Sequence, residues 1–143
     1  MLITLRLRFH GDLLDPTAVT DLLKVTPNLA VAKGSVKSIS NGAEIVEKTS
    51  RWEWYSEDIS NLLSVDDHIS RLGAQFFDVL SELRQIPNCE YAWIDLSMIH
   101  MSKSADSNIS FLLNTTSVSI IGKIGIPLEL SYYVLTEDAA DVS

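Results

Sequence analysis

Cysteine is almost absent from this sequence, since Cys89 is the single thiol among 143 residues. One cysteine cannot form an intramolecular disulfide, and it excludes metal sites built from pairs of cysteines. The missing disulfides favour a reducing compartment. Cys89 follows the C-terminal end of a predicted helix, where the helix dipole disfavours a thiolate. We therefore interpret Cys89 as a half-buried apolar residue in preference to a nucleophile.

Long apolar runs are also lacking. The N-terminal segment MLITLRLRFHGD is interrupted by Arg6 and Arg8, so it has no hydrophobic region of signal-peptide length. The most apolar stretch, residues 117–135, contains a lysine, a proline and a glutamate, which excludes a membrane span. We expect a soluble cytoplasmic protein that has no membrane partner.

Basic residues are too few to balance the acidic ones. The chain has 11 Lys and Arg against 19 Asp and Glu, a net charge of −8. Residues 1–52 carry seven basic and five acidic residues (net +2), whereas residues 53–143 carry four and fourteen (net −10). Nucleic-acid binding needs a positive surface that displaces phosphate counterions, so we expect no nucleic-acid partner. The acidic part of the chain is compatible with a basic protein partner.

Motifs for catalysis or metal binding are missing as well. The three histidines, His10, His68 and His100, lie in three separate predicted elements and have no HxH or HxxxH spacing. The segment 122–125, GKIG, lacks the earlier glycine and the Ser or Thr after the lysine that a phosphate loop uses, so Gly125 is better explained as a helix stop. We expect no metal and no cofactor.

Two pairs of neighbouring acids could in principle perform acid–base chemistry. They are Glu57 with Asp58 and Asp66 with Asp67, on either side of the start of a long predicted helix. No apolar pocket that would raise their pKa values is evident from the sequence, so loop and capping roles are favoured. The sequence thus indicates a protein that is not an enzyme.

Apolar periodicity predicts the secondary structure. The predicted strands are 2–9, 43–48, 51–56, 91–101, 109–113 and 127–135, and the predicted helices are 16–24, 65–86 and 115–124. Residues 28–42 are predicted to be a loop with a strand fragment. The strands 43–48 and 51–56 are predicted to pair as a hairpin. Asp15 is predicted as an N-cap before Pro16, and Ser64 with Asp67 resembles a capping box.

The order of these elements is β-α-β-β-α-β followed by β-α-β. It predicts an α+β two-layer sandwich in which a ferredoxin-like split βαβ unit is extended by a C-terminal β-α-β. The helices are expected on one face of a mainly antiparallel sheet. We expect a single domain over residues 1–136 and an acidic, frayed tail over residues 137–143.

The segment TSRWEWYSED raises the question of which strand face is buried, because alternation gives both tryptophans the same environment. We favour packing of Trp52 and Trp54 against the long helix, because it removes some of the largest apolar surfaces of the chain from water. Glu53 and Tyr55 would then lie outside; the reverse arrangement stays open. In a ferredoxin-like order the first strand is central. The outer sheet face would then carry Arg6, Arg8, Trp93 and Asp95 beside one of the two pairs from this segment.

Short motifs are distributed along nearly the whole chain: Gly11-Asp12, Asp15-Pro16, Leu22-Leu23, Pro27, Gly34, Trp54-x-Ser56, Asp67-His68-Ile69, Leu72, Asn108-x-x-Phe111-Leu112, and Ile121-x-x-x-Gly125-Ile126-x-Leu128-x-Leu130-x-Tyr132. This set resembles a bacterial family of proteins of unknown function, number 4279. The resemblance implies a single α+β domain and brings no established catalytic residues. Small acidic bacterial families of this kind include candidate immunity proteins, which neutralise toxins, and the comparison is an analogy.

Our leading hypothesis is a non-enzymatic protein-interaction domain, in its most concrete form an immunity-type inhibitor of a basic toxin. The alternative is a small-ligand sensor or regulatory domain with a pocket between the sheet and the 102–108 loop. The candidate interaction surface combines aromatic, basic and acidic residues: Arg6, Arg8, Glu53, Tyr55, Glu57, Asp58, Asp66, Asp67, Trp93 and Asp95. A purely structural role, with an arginine stacked on tryptophan and paired with aspartate, stays open. The last strand could pair with a second copy if it lies at a sheet edge.

Overall fold

The computed structural model describes residues 1–102 and 110–136. The strands are β1 (Leu2–Gly11), β2 (Leu29–Val31), β3 (Val36–Ser38), β4 (Glu44–Val46), β5 (Ser50–Glu57), β6 (Tyr91–Ser102) and β7 (Leu128–Thr136). The α-helices are α1 (Pro16–Leu23), α2 (Val65–Gln75) and α3 (Thr115–Ile124), and a 3-10 helix spans Phe77–Gln85.

The main sheet has five strands in the order β2-β5-β1-β6-β7. β1 is antiparallel to both β5 and β6, and β2 is antiparallel to β5. β7 is parallel to β6 and follows it through α3. The predicted α+β class is confirmed: α1 and α2 each connect parallel strands with one strand between them, which is the split βαβ arrangement, and β6-α3-β7 extends it.

One face of this sheet is buried against the helices. Every second residue of β1 points into the core, and Leu5, Leu7 and Phe9 have no exposed surface. The apolar stripes of the helices complete the same core with Val19, Leu23, Ile69, Leu72, Phe76 and Ile124. Removing this apolar surface from water is the main source of stability for the sandwich.

The two tryptophans of β5 lie on the core side. Trp52 is fully buried between Phe9 and Phe76, with ring centroids 5.7 and 6.4 Å away. Trp54 is half-buried and meets Phe76 edge to face at 5.4 Å. Glu53 and Tyr55 therefore lie on the other side of the sheet.

The helix boundaries follow the capping residues. The Asp15 side chain accepts hydrogen bonds from the backbone N–H groups of Thr17 and Ala18, and Ser64 with Asp67 forms a complete capping box. Gly125 ends α3 in the left-handed conformation, with φ of 69°, which glycine adopts without steric cost. These three local predictions are confirmed.

The predicted hairpin between 43–48 and 51–56 is wrong. β4 pairs with β3 in a separate two-stranded sheet, and β5 pairs with β1 and β2. Asn41-Gly42 makes the turn between β3 and β4, with Gly42 at φ of 83°. Asn-Gly is a strong hairpin signal, and it favours pairing of β4 with β3, the strand just before the turn, over pairing with β5.

The predicted helix 65–86 is interrupted. α2 ends at Gln75, and Val79 in the 3-10 helix that follows has φ of −133°, outside helical values. Leu80, Leu83 and Ile86 are spaced by three residues, which places them on one side of a 3-10 helix as well as of an α-helix. Periodicity alone therefore could not distinguish the two.

The predicted strand 109–113 is not formed in its described part, since residues 110–114 have no regular secondary structure. Residue 109 and most of the loop with the expected ligand pocket lie outside the described residues. The expected tail, 137–143, also lies outside them.

Candidate binding face

We call the side of the sheet that points away from the helices the outward face. It is formed by Thr4, Arg6, Arg8 and His10 of β1, Glu53 and Tyr55 of β5, and Trp93, Asp95 and Ser97 of β6. Strand alternation places these residues on one side, and the register then brings them together: Arg8 lies between Glu53 and Trp93, and Arg6 between Tyr55 and Asp95. Seven of the ten residues predicted as an interaction surface therefore lie on this face, six at its centre and Glu57 at its edge.

Glu53 is the centre of a group joined by hydrogen bonds and ion pairs that we call the Glu53 cluster, formed by Arg8, His10, Glu53, Tyr55 and Asp95. Glu53 Oε2 lies 2.7 Å from His10 Nε2 and 3.2 Å from Arg8 Nε. The Tyr55 hydroxyl donates to Glu53 Oε1 at 2.7 Å. Arg8 Nη1 donates to Asp95 Oδ2 at 3.2 Å, so one arginine joins both carboxylates.

This cluster sets two pKa values. Burial raises the pKa of Glu53, but hydrogen bonds from His10 and Tyr55 and the charge of Arg8 outweigh it and lower the pKa to about 2. Burial together with the hydrogen bond to Glu53 raises the pKa of Tyr55 to about 12. At neutral pH the cluster therefore holds a carboxylate and a protonated phenol, and neither is poised to transfer a proton.

Two arginines of the face stack on aromatic rings. The Arg8 guanidinium lies 5.3 Å from the Trp93 ring centre, and the Arg6 guanidinium lies 5.1 Å from the Tyr55 ring centre. The His10 ring meets the Trp93 ring edge to face at 4.7 Å. Each long side chain is thus fixed by a neighbour on the adjacent strand.

The other four predicted surface residues lie off the centre of the face. Asp58 follows β5 and accepts hydrogen bonds from Ser60, Leu62 and Leu63, which lower its pKa to about 2. Glu57 is the exposed last residue of β5. The acids therefore do not form one continuous negative patch.

Asp66 and Asp67 lie at the start of α2. Asp67 accepts from the Ser64 backbone N–H at 2.9 Å, which lowers its pKa. Asp66 accepts from the Asn114 backbone N–H and from the Ser117 hydroxyl, at 3.1 and 2.6 Å. These contacts join α2 to the first turn of α3, so both carboxylates have local structural roles.

The sequence-based prediction missed His10 as a member of the face. His10 continues the outward alternation of Thr4, Arg6 and Arg8 by one further position, and the structure extends β1 to Gly11. A longer first strand would have placed the imidazole beside Glu53. The predicted strand ended at residue 9, so it left out His10, the next outward position.

A second buried polar pair lies on the core side. The Ser56 hydroxyl is 2.7 Å from His68 Nδ1, and His68 has no exposed surface. Within the described residues His68 Nε2 has no hydrogen-bond partner. Burial lowers the pKa of His68, so the neutral imidazole is favoured.

The thiol of Cys89 is half-buried and donates to the backbone carbonyl oxygen of Tyr91 at 3.1 Å. Burial raises its pKa, which disfavours the thiolate. Over residues 1–102 and 110–136, no three His, Cys, Asp or Glu side chains are grouped as metal ligands would be. In the same ranges no helix has the length and apolarity needed to cross a membrane.

The fold and the outward face together define a small α+β domain of ferredoxin-like arrangement, with aromatic and basic side chains on the sheet face opposite its helices. The chain belongs to the family described as Domain of unknown function (DUF4279), which it matches over residues 1–135. No curated protein and no solved structure matches the chain.

Proposed function

We propose that this protein is a non-enzymatic interaction domain that binds a protein partner through the outward face. The observation that carries the proposal is the arrangement of Arg6, Arg8, Tyr55 and Trp93, whose side chains are stacked in pairs on the sheet face that the helices do not cover. Tryptophan, tyrosine and arginine supply most of the energetically dominant contacts in protein interfaces.

The fixed positions of these side chains favour binding. A partner that docks on flexible long side chains must order them, which costs about 0.5–1.5 kcal/mol for each. Here the stacking contacts and the Glu53 cluster hold them in place before a partner arrives. Tyr91, at the start of β6, is 67% exposed and extends the aromatic surface beside His10.

We propose a basic partner of the toxin type, as expected for an immunity-type inhibitor in the cytoplasm. The net charge of −8 supports this choice, because opposite charge accelerates and orients association. Glu53 and Asp95 contribute little, since Arg8 pairs with both. The exposed Glu57 and Glu129 lie in register with Thr4 and Asp95 and give the outward face acidic edges.

Binding to a purified basic protein encoded beside this gene tests the proposal. Titration calorimetry would compare the wild type with Tyr91→Ala and Trp93→Ala, and with Phe77→Ala as a matched control. Phe77 is 76% exposed in the helix layer. We expect the two face variants to bind at least about tenfold more weakly, as loss of a central aromatic contact does. Equal binding by all four proteins, or no binding by the wild type, would refute the proposed partner and surface.

A small-ligand domain is the second candidate function. An open cavity of about 320 Å³ at one end of the outward face favours it. A thermal-shift screen against metabolites separates the two candidates, because a ligand selective for the folded state raises the melting temperature.

We also propose that the protein forms a homodimer through β7. This strand is at the edge of the sheet, is nine residues long, and carries exposed Leu130, Tyr132, Tyr133 and Leu135. This long apolar edge has no lysine or proline to oppose pairing with another strand, and its one charged residue, Glu129, lies near the start of the strand.

A further inference from the structure

The cavity at the end of the outward face lies where β1, β5 and β6 meet the loop after β5. Its volume of about 320 Å³ falls in the range of small-ligand pockets. The lining residues are Leu2, Thr4, Arg6, Glu57, Asp58, Ile59, Ser97 and Ile99. One cation, two carboxylates, two hydroxyl groups and three apolar side chains therefore line the same space.

Arg6 has no ionic partner in the described residues. No carboxylate oxygen lies within 4.0 Å of its guanidinium, although Asp95 is its neighbour on β6, because Asp95 pairs with Arg8 instead. Arg6 Nε is buried and has no hydrogen-bond partner there. The stack on Tyr55 fixes the guanidinium without satisfying its N–H groups. A half-buried arginine in this state is suited to bind a carboxylate.

Glu57 provides the opposite charge on the same side of the sheet. It lies opposite Thr4, so it is a diagonal neighbour of Arg6. The Cα atoms of diagonal neighbours on adjacent strands are about 7–8 Å apart. Within the described residues the Glu57 carboxylate pairs neither with Arg6 nor with another cation. Asp58, the other acid of the cavity, is already bound by the backbone of its own loop.

Polarity changes in order along the cavity floor. Arg6 lies at one end of the floor. Thr4 and Ser97, which are opposite each other on β1 and β6, come next, and the opposed pair Leu2 and Ile99 lies at the other end. Ile59, which is fully exposed, lines the cavity from the loop after β5. A ligand that fits this order has charged groups at one end and an apolar group at the other.

We propose that this cavity binds a free α-amino acid with an apolar side chain. Arg6 holds the carboxylate, Glu57 holds the ammonium group, and Leu2, Ile59 and Ile99 contact the side chain. The ammonium and carboxylate groups of the ligand are both attached to its α-carbon. They can therefore bridge the Arg6 guanidinium and the Glu57 carboxylate, which belong to diagonal neighbours on β1 and β5. A peptide cannot do this, because its amine and carboxylate are at opposite ends. The inference rests on the second candidate function, a small-ligand domain, and does not depend on the protein-interaction role.

Titration calorimetry with the full chain tests this site with L-leucine, N-acetyl-L-leucine and L-leucinamide. The two blocked compounds each lack one ligand charge. We expect L-leucine to bind and each blocked compound to bind at least about tenfold more weakly, as loss of a charged hydrogen bond does. No binding of L-leucine at ~10 mM, or equal binding of a blocked compound, would overturn the proposal.

Two substitutions assign the charges. Arg6→Gln should weaken L-leucine binding and leave the weak binding of L-leucinamide, which has no carboxylate, unchanged. Glu57→Gln should also weaken L-leucine binding, but it should leave the weak binding of N-acetyl-L-leucine, which has no ammonium group, unchanged. Lys123→Gln and Glu82→Gln, both exposed in the helix layer, are the matched controls and should bind like the wild type. Full affinity in both site variants would place the ligand elsewhere and overturn the assignment. If Arg6→Gln does not fold, titration of the wild type with the three compounds still tests the amino-acid site. The partner-protein test with Tyr91→Ala does not depend on the result of either experiment, so the two proposals can fail separately.

Discussion

At the residue scale, Glu53 has the most demanding environment in the described structure. It is 1% exposed, so its carboxylate has lost nearly all contact with water. The hydrogen bonds from His10 and Tyr55 and the ion pair with Arg8 replace that hydration. Removing one partner of such a buried pair leaves the other charge uncompensated.

We therefore expect Glu53→Gln to lower the free energy of unfolding by about 2–4 kcal/mol at pH 7. Urea denaturation measures the change, and Glu129→Gln, exposed on β7, should stay within about 0.5 kcal/mol of the wild type. The pKa of Glu53 falls from an ordinary value of 4.5 to about 2 on folding. The stabilisation is thus present above pH 4.5 and is lost as the pH falls towards 2. The difference in the free energy of unfolding between wild type and variant should therefore shrink between pH 4.5 and 2. A difference that stays constant would contradict this explanation.

His68 predicts a different pH dependence. Burial lowers its pKa from the ordinary value of 6.5, and the charge of Arg71 lowers it further, while Asp58 and Asp67 act in the opposite direction. Above pH 6.5 both folded and unfolded chains carry a neutral imidazole, so the pH has no effect through this group. Below it the unfolded chain takes up a proton first, and stability falls by up to about 1.4 kcal/mol per pH unit.

Urea denaturation of the wild type and His68→Gln between pH 7.5 and 5 checks this prediction. The variant starts less stable, because Ser56 loses its partner, but it should show a flatter pH dependence. His100→Gln, which leaves the buried pair intact, should keep the wild-type slope. Parallel curves for the wild type and His68→Gln would show that His68 does not titrate on unfolding in this range.

Which side chains face the core could be predicted where alternation is strict. In TSRWEWYSED the size of the two tryptophans favours burying Trp52 and Trp54, and the structure confirms that choice. The burial of Glu53 could not be predicted, because it depends on His10 and Arg8, which are 43 and 45 residues away in the chain. The contact of Ser56 with His68 likewise depends on tertiary packing.

At the scale of elements, capping chemistry is the most informative signal. Ser64 and Asp67 each satisfy a backbone N–H group at the start of α2, which otherwise has no acceptor. We expect Ser64→Ala to lower the free energy of unfolding by about 1 kcal/mol, as loss of an N-cap does.

Thermal denaturation compares Ser64→Ala with Ser70→Ala, which makes the same change at an exposed position inside the helix. Alanine has the highest helix propensity, so Ser70→Ala should be neutral or slightly stabilising. If both substitutions destabilised the protein equally, the loss of the N-cap hydrogen bond could not explain the effect of Ser64→Ala.

Elements with several turns or strict alternation could be predicted, whereas short ones could not. The interval 115–124 is confirmed as α3, because Asn114 and Gly125 mark both of its ends. β2, β3 and β4 each have three residues, too few for a pattern to appear. The change from α2 to the 3-10 helix is also invisible, since apolar residues three positions apart fit both helices.

At the scale of the whole molecule, the order of elements was enough to predict the central position of β1. Two split βαβ connections leave one place for the first strand, between β5 and β6. The edge next to β5 could not be predicted, because β2 replaces the strand expected from the 43–48 segment. The other edge, β7, follows from the parallel β6-α3-β7 connection.

The proposed dimer depends on this second edge. If two copies of β7 pair antiparallel about Tyr132, then Leu130 lies opposite Val134 of the second copy and both stay on the core side. Glu129 lies opposite Leu135, so the two glutamates are separated by six residues, about 20 Å. That distance exceeds the Debye length of about 8 Å at physiological salt, so their repulsion is weak.

Analytical ultracentrifugation at ~100 μM should therefore show a dimer for the wild type, and Tyr133→Lys should shift it to the monomer, because a lysine on an edge strand opposes pairing. Ile45→Lys introduces the same charge on exposed β4, outside the main sheet, and should leave the dimer intact. A monomeric wild type at this concentration would remove the proposal. A dimer that persists in Tyr133→Lys and dissociates in Ile45→Lys would move the interface to the two-stranded sheet, and the exposed apolar side chains of β7 would then need another explanation.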